Sequence, residues 1–219
     1  MRFNENKSYH VLYTVTIALL ALLALSYAAP QPRKLFHEHY EDFSRLILDE
    51  AAHDLEHILE HYLEFEEFQA SLDYLVTANF RNLVFEMEDL PEFKAVVEFL
   101  EGHNIDILYF IDALNSAVDA IPRKSLRHTL SGRDFSAFIT DLISEFPKSK
   151  LTALYEEKIA GDEGFRNAME SLNSEEWDQI YGALWNNEVF LNEVAVLKQN
   201  GIDVEVVLVE VKAIFGIYN

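Results

Sequence analysis

The sequence predicts an all-α protein made of two tandem repeats of about six short helices each, packed together around a shared interior. The first observation behind this prediction is an internal duplication: the stretch from Phe65 to Val118 matches the stretch from Asp162 to Phe215 at a constant offset of 97 residues. The second is that 219 residues contain only 7 glycines and 5 prolines, which favours helix over turn-rich folds. A repeat this long exceeds the roughly 20–50 residues of a solenoid module, so each copy should be a small helical assembly.

The matched positions carry the same chemistry, and apolar residues fall on apolar residues even where the residue type differs. The clearest pairs are Phe68 with Phe165, Leu75 with Leu172, Phe80 with Trp177, Phe93 with Phe190, Leu100 with Leu197, and Ile105-Asp106 with Ile202-Asp203. We therefore expect the two copies to pack face to face around a shared interior.

The N-terminal residues 1–28 resemble a secretory signal peptide. A weakly basic start is followed by an uncharged apolar run from Val11 to Leu25 and then by small residues near Ala28. The alternative is an uncleaved anchor, although the run does not clearly reach the ~18 apolar residues of a spanning helix. We expect the rest of the chain to divide into a first helical repeat at 29–118, a linker at 119–133 and a second helical repeat at 134–219.

Helix boundaries are easiest to place in the second copy. A helix over 134–145 is stopped by Pro147, and the next, over 148–160, ends at Gly161 as a C-cap. Asp162 opens a short helix, and Ser174 begins a fourth. A fifth helix runs over 187–200, and Asp203 caps the last one, which reaches residue 215.

The first copy matches this order from residue 65 onward. Pro91 stands in the first turn of one helix, and Asp106 occupies the capping position equivalent to Asp203. The front end differs because the first copy has nothing equivalent to the break at Pro147. The sequence therefore predicts one long helix from Tyr40 to Leu63.

Composition excludes several classes of function. The chain has no cysteine, so neither disulfides nor thiol chemistry contribute. Its 38 acidic residues outnumber 17 basic ones, a formal net charge of −21, and nucleic acid is therefore not an expected partner. We expect a secreted monomer kept soluble by its acidic surface.

A histidine-rich segment is the main candidate for metal chemistry. The pattern H-x-x-E-H occurs at His53 to His57 and again at His57 to His61, a spacing used by zinc proteases on a helix. The histidines have no counterpart in the second copy, where His57 and His61 fall on Leu154 and Lys158. We interpret them as a solvated face and predict no metal site, no cofactor and no catalytic residue.

Two helical segments, 105–114 and 204–211, are apolar around well over half of their circumference. Such a helix must be covered on nearly all sides. Two interpretations remain open: a central core helix, or a helix that faces both its neighbours and an apolar cavity.

Several phrases resemble the insect allergen-related repeat family. Asp89-Leu-Pro-Glu-Phe-Lys-Ala-Val-Val-Glu-Phe-Leu-Glu-Gly-His-Asn-Ile-Asp-Ile is similar to the family's most typical segment, and looser likenesses lie at 135–142 and 151–158. The resemblance covers roughly residue 35 to the C-terminus and departs from the pattern before Leu63 and at 188–193. The family includes cockroach group 1 allergens, mosquito midgut microvillar proteins and the nitrile-specifier proteins of cabbage-white butterflies.

The resemblance implies a secreted gut protein whose two repeats are packed as one capsule around a hydrophobic cavity for fatty acids or phospholipid acyl chains, and it supplies no catalytic residue. Peripheral membrane association is left open. Detoxification of a reactive plant metabolite, or a structural role in microvilli or the peritrophic lining, are the alternatives. The candidate cavity-facing residues are Leu83, Met87, Val97, Ile107 and Ile111 in the first copy, with Ile180, Leu184, Val194, Val204 and Leu208 in the second.

Overall fold

The computed structural model describes residues 34–120 and 130–218 of the chain. These residues form eleven α-helices, and they contain no β-strand. The predicted all-α fold is confirmed for these residues. The predicted signal peptide and most of the predicted linker lie outside them. The helices are α1 Phe36–Tyr62, α2 Glu66–Leu75, α3 Ala78–Asp89, α4 Pro91–Gly102, α5 Ile107–Ala120, α6 Phe135–Ser144, α7 Lys148–Gly161, α8 Glu163–Ser171, α9 Glu175–Trp185, α10 Glu188–Gln199 and α11 Val204–Ile214.

The helix starts recur at the offset seen in the sequence. Helices α2 to α5 each begin 97 residues before α8 to α11, respectively. The caps recur as well: the hydroxyl oxygens of Thr77 and Ser174 each accept a hydrogen bond of 3.1 Å, from the N–H of Phe80 and of Trp177. A side-chain oxygen at this position satisfies one of the free N–H groups of the first turn.

The helix ends before α5 and α11 also match. Asn104 and Gly201, at equivalent positions, both have left-handed backbone conformations, with φ of 61° and 79°. The next residue in each copy turns back: Ile105 N–H donates to the Leu100 carbonyl at 2.9 Å, and Ile202 N–H donates to the Leu197 carbonyl at 3.0 Å. This is the hydrogen bond that closes a helix in a Schellman motif.

The front ends of the two halves differ as predicted. Helix α1 runs unbroken for 27 residues, whereas the second half is divided at Pro147 into α6 and α7. The first half therefore has five helices in the described residues instead of the six expected, because no proline interrupts α1. The expected C-cap is also wrong: Gly161 lies inside α7, and Asp162 both ends α7 and caps α8 by accepting the Phe165 N–H at 2.9 Å.

Helix α1 is the centre of the core. Its buried residues follow the three- and four-residue spacing of a single helical face: Phe36, Tyr40, Phe43, Ile47, Ala51, Leu55, Leu59 and Tyr62. This face packs mainly against α6, α7, α8 and α11, all from the second half of the chain. The longest helix of the first half is thus buried by the second.

Aromatic rings fill the two ends of this core. At one end, Phe36 stacks on Phe165 with ring centroids 5.9 Å apart, and Phe43 meets Phe215 edge-on at 5.1 Å. At the other end, Phe138 lies 4.9 Å from Phe68 and 5.3 Å from Tyr62. Among the described residues, no helix is long and apolar enough to cross a membrane.

Candidate functional site

Helices α5 and α11 carry matching apolar faces that begin at this core and extend beyond it. We call Ile107, Ile111 and Leu114 the α5 stripe, and we call Val204, Leu208 and Val211 the α11 stripe. Both sets have the i, i+4, i+7 spacing of one helical face. Each residue of the α5 stripe lies 97 positions before its partner in the α11 stripe.

The two stripes are uncovered to the same extent. Leu114 is 46% exposed and Val211 is 44% exposed, although both are large apolar residues in well-formed helices. The other four stripe residues are half-buried. The exposed end of each stripe is therefore a candidate surface for an apolar ligand.

The ten residues predicted to face a cavity fall into three groups. Leu83 and Leu184 are buried, each about 5% exposed. Met87, Ile107, Ile180 and Val204 are partly buried and touch the core cluster. Val97, Ile111, Val194 and Leu208 are also partly buried but lie outside that cluster, so they have apolar surface that the core does not use.

A cleft of about 490 Å³ separates α3 from α10. The equivalent junction, between α4 and α9, is closed by Phe99 and Trp177, whose rings lie 5.3 Å apart. The smaller Val196 takes the place of Phe99 in the α3–α10 junction, and this difference opens the cleft.

Polar side chains line much of the α3–α10 cleft, with the buried Leu83 at its wall. Burial and the neighbouring Glu86 carboxylate raise the pKa of Glu193 in this cleft. The cleft is not the closed apolar cavity that the family resemblance implies. That cavity stays a prediction.

A carboxyl group interrupts the core-facing side of α11. Glu210 shares that side with Val206 and Ala213, at helical spacing, and the equivalent residue in α5 is the buried Ala113. Burial raises the pKa of Glu210 to about 7. Its neighbour across the core is Tyr40, whose pKa is raised by burial first and then by the Glu210 charge.

The histidine-rich segment points away from these features. His53, His57 and His61 are all exposed on α1. No group of three His, Cys, Asp or Glu side chains in residues 34–120 and 130–218 is arranged to hold a metal ion.

Leu114 and Val211 were missed by the sequence analysis. The sequence did contain a signal for them. Leu114 continues the helical spacing of Ile107 and Ile111, and Val211 continues that of Val204 and Leu208. Leu114 and Val211 are also 97 residues apart, as the repeat requires. Only the structure shows that Leu114 and Val211, at equivalent positions of the two copies, are both exposed.

Comparison with known proteins identifies the family of the chain. No curated protein matches the chain. A family model described as insect allergen related repeat, nitrile-specifier detoxification, matches residues 35–208. This range includes every helix from α1 to α10 and the first turn of α11. The chain therefore belongs to the insect allergen-related repeat family.

Proposed function

We propose that this protein is a secreted, monomeric lipid-binding protein that holds fatty acyl chains against the α5 and α11 stripes, in the digestive tract of an insect. The observation that carries the proposal is the equal exposure of Leu114 and Val211 at equivalent positions of two apolar helices. The same end of the same helix face is thus left exposed in both halves of the chain.

The energetics favour an apolar ligand. Each methylene moved from water to an apolar surface contributes about 0.8 kcal/mol, so a long acyl chain gains several kcal/mol from a face of this kind. The stripes themselves contain no charged residue. An acyl chain therefore meets only aliphatic side chains along them.

The second candidate function is detoxification of a small reactive metabolite. The family description names nitrile-specifier detoxification, and this is the observation that favours it. The same stripes would then hold the apolar part of the metabolite. No residue is assigned a catalytic role under this alternative.

Thermal denaturation of delipidated protein tests the proposal. A long-chain fatty acid that binds only the folded state should stabilise it by about 2.7 kcal/mol at a hundredfold excess over Kd. Native mass spectrometry of the purified protein should show bound acyl chains. An unchanged melting temperature together with concentration-dependent self-association would mean that a second copy of the chain covers the stripes.

Substitutions locate the ligand. Leu114→Asp and Val211→Asp place a charge on the exposed end of each stripe and should abolish fatty-acid stabilisation with little change in the ligand-free protein. Leu130→Asp is the matched control, since Leu130 is also an exposed leucine but lies outside both stripes. Loss of binding in the control to the same extent would contradict the location.

A size test addresses the cavity. Val97→Phe and Val194→Phe should be tolerated and should lower the amount of ligand bound if these positions face open space. In a filled core the same overpacking typically costs about 1–3 kcal/mol. Strong destabilisation by both substitutions, without any thermal shift from fatty acid, would favour the structural role.

A further inference from the structure

A second cleft, of about 570 Å³, lies between α1 and α7 and shares no residue with the stripes. Helix α1 contributes His39, Asp42 and Arg45 to its walls, and α7 contributes Lys158. Small-molecule sites in proteins typically have volumes of about 300–1,000 Å³. The cleft is therefore large enough for a metabolite-sized ligand.

Two polar side chains are buried at the inner end of this cleft. The Lys158 side chain is only 10% exposed and forms a salt bridge with Asp42, and its ammonium lies 5.7 Å from the centre of the Phe43 ring. His39 is 3% exposed, and its Nδ1 lies 3.3 Å from Lys158 Nζ. Buried Lys and His side chains of this kind are rare unless they have partners.

The contact with Lys158 determines which nitrogen of His39 carries the proton. An ammonium group can only donate, so Nδ1 must accept and the hydrogen is assigned to Nε2. Within the described residues, Nε2 has no hydrogen-bond partner. Asp162 Oδ2 is 3.5 Å away, which is beyond ordinary hydrogen-bond length. A buried N–H donor is thus left unsatisfied at the cleft wall.

The imidazole of His39 stays neutral at neutral pH. Burial first, and then the Lys158 ammonium, lower its pKa to about 4, and these effects outweigh the opposite influence of Asp162. The neutral ring offers its N–H without adding a second positive charge beside Lys158.

Three basic side chains, those of Lys34, Arg45 and Lys158, line this cleft together with four carboxylates. Lys34 and Lys158 both form salt bridges with the same oxygen of Asp42, so one carboxylate neutralises two ammonium groups. Arg45 stands exposed at the wall and has no salt bridge in the structure that we describe. Two of the remaining acidic wall residues, Asp49 and Glu157, are exposed at the rim.

We infer that this cleft binds a small organic molecule through an oxyanion, a carboxylate, phosphate or sulfate group, placed against the Lys158 ammonium and the Nε2–H of His39. Lys34 and Arg45 face the same anion from the outer part of the cleft. The oxyanion supplies the acceptor that His39 Nε2 lacks and a further partner for Lys34 and Lys158, which share a single oxygen of Asp42. Charge-assisted hydrogen bonds of this kind are the strong ones in protein recognition.

NMR titration of the isotope-labelled protein tests the inference, with inorganic phosphate, inorganic sulfate and hexanoate as probes and sodium chloride at matched ionic strength as the reference. We expect saturable shifts confined to the cleft residues, including the Nε2–H of His39. Lys158→Met should weaken binding about tenfold or more, the loss typical of one charge-assisted hydrogen bond.

Arg45→Gln provides a variant that does not disturb the core, since Arg45 is exposed and unpaired in the described residues. It should weaken binding about two- to fivefold, as expected for an exposed charge. Lys212→Met, on the exposed side of α11, is the control and should leave binding unchanged.

Several results would overturn the inference. Shifts that do not saturate, or that chloride reproduces, would show only ionic screening. Equal binding by the native chain, Lys158→Met and Arg45→Gln would exclude the cleft. Hexanoate binding that is lost in Leu114→Asp but kept in Lys158→Met would assign the carboxylate probe to the stripes. The last result would leave the lipid proposal standing while removing this one.

Discussion

Glu210 should make the protein less stable at neutral pH than at mildly acidic pH. The carboxyl group lies on the core-facing side of α11, and no salt bridge compensates it within the described residues. Burial raises its pKa from 4.5 to about 7. The folded state therefore binds this proton more tightly than the unfolded state does, and the free energy of unfolding falls as the pH rises from about 4.5 to about 7.

The substitution Glu210→Gln removes the titration while keeping the shape of the side chain. One pKa unit corresponds to about 1.4 kcal/mol, so the shift of Glu210 amounts to about 3 kcal/mol once the carboxylate is fully ionised. The glutamine amide needs hydrogen bonds of its own, and we therefore expect a gain of about 2–3 kcal/mol at mildly alkaline pH. For a protein of this size, the melting temperature should rise by about 4–12 °C.

The assay is chemical denaturation of the native chain and the variant across this pH range. The two curves should coincide below about pH 4.5, where Glu210 is protonated in both states, and diverge as the pH rises. Glu205→Gln, at an exposed position of the same helix, should show no comparable divergence. A constant difference between native chain and Glu210→Gln at every pH would refute the reasoning, because the effect would then not come from ionisation.

Three further predictions concern a glycine, a core aromatic ring and the histidine-rich segment. Gly216→Ala should destabilise by about 2–4 kcal/mol in denaturant titration, since Gly216 has φ of 74° and a Cβ there would lie 2.6 Å from the backbone of Leu151 and Thr152. Its control, Gly182→Ala, meets nothing within 4 Å and should stabilise α9 by about 0.5–1 kcal/mol. Phe43→Ala should cost about 3–5 kcal/mol in the same assay because the ring is fully buried, whereas Phe85→Ala, at a ring that is 62% exposed, should change stability by less than about 0.5 kcal/mol. Replacing His53, His57 and His61 together by Gln should leave the melting temperature unchanged with or without zinc, and a zinc-dependent loss in calorimetry would restore the metal interpretation.

The sequence predicts the helices well because their signals are local. Capping residues such as Ser174 and Asp203, and the proline that separates α6 from α7, act within a few residues of the helix ends that they define. The end of α7 was predicted one residue too early, at Gly161, because a glycine does not end a helix by itself. The neighbouring Asp162 ends α7 and caps α8.

The α1–α7 cleft could not be predicted in this way. Its inner end joins His39 to Lys158, which lie 119 residues apart in the chain. Periodicity shows which face of a helix is apolar, but it does not show which distant helix covers that face. The stripes illustrate the same point. Their apolar character is evident in the sequence, but their exposure depends on which residues the other helices cover, and periodicity does not show this.

The burial of α1 by the second half has a consequence for how such a chain could arise. A protein with only one copy would expose the apolar face of its longest helix, unless a second molecule supplied the helices that cover it. Joining the two copies in one chain makes that contact intramolecular, and the effective concentration of the covering helices no longer depends on the amount of protein present. The tandem arrangement thus resembles a dimer whose subunits have been tied together, with the longest helix of one half buried by the other.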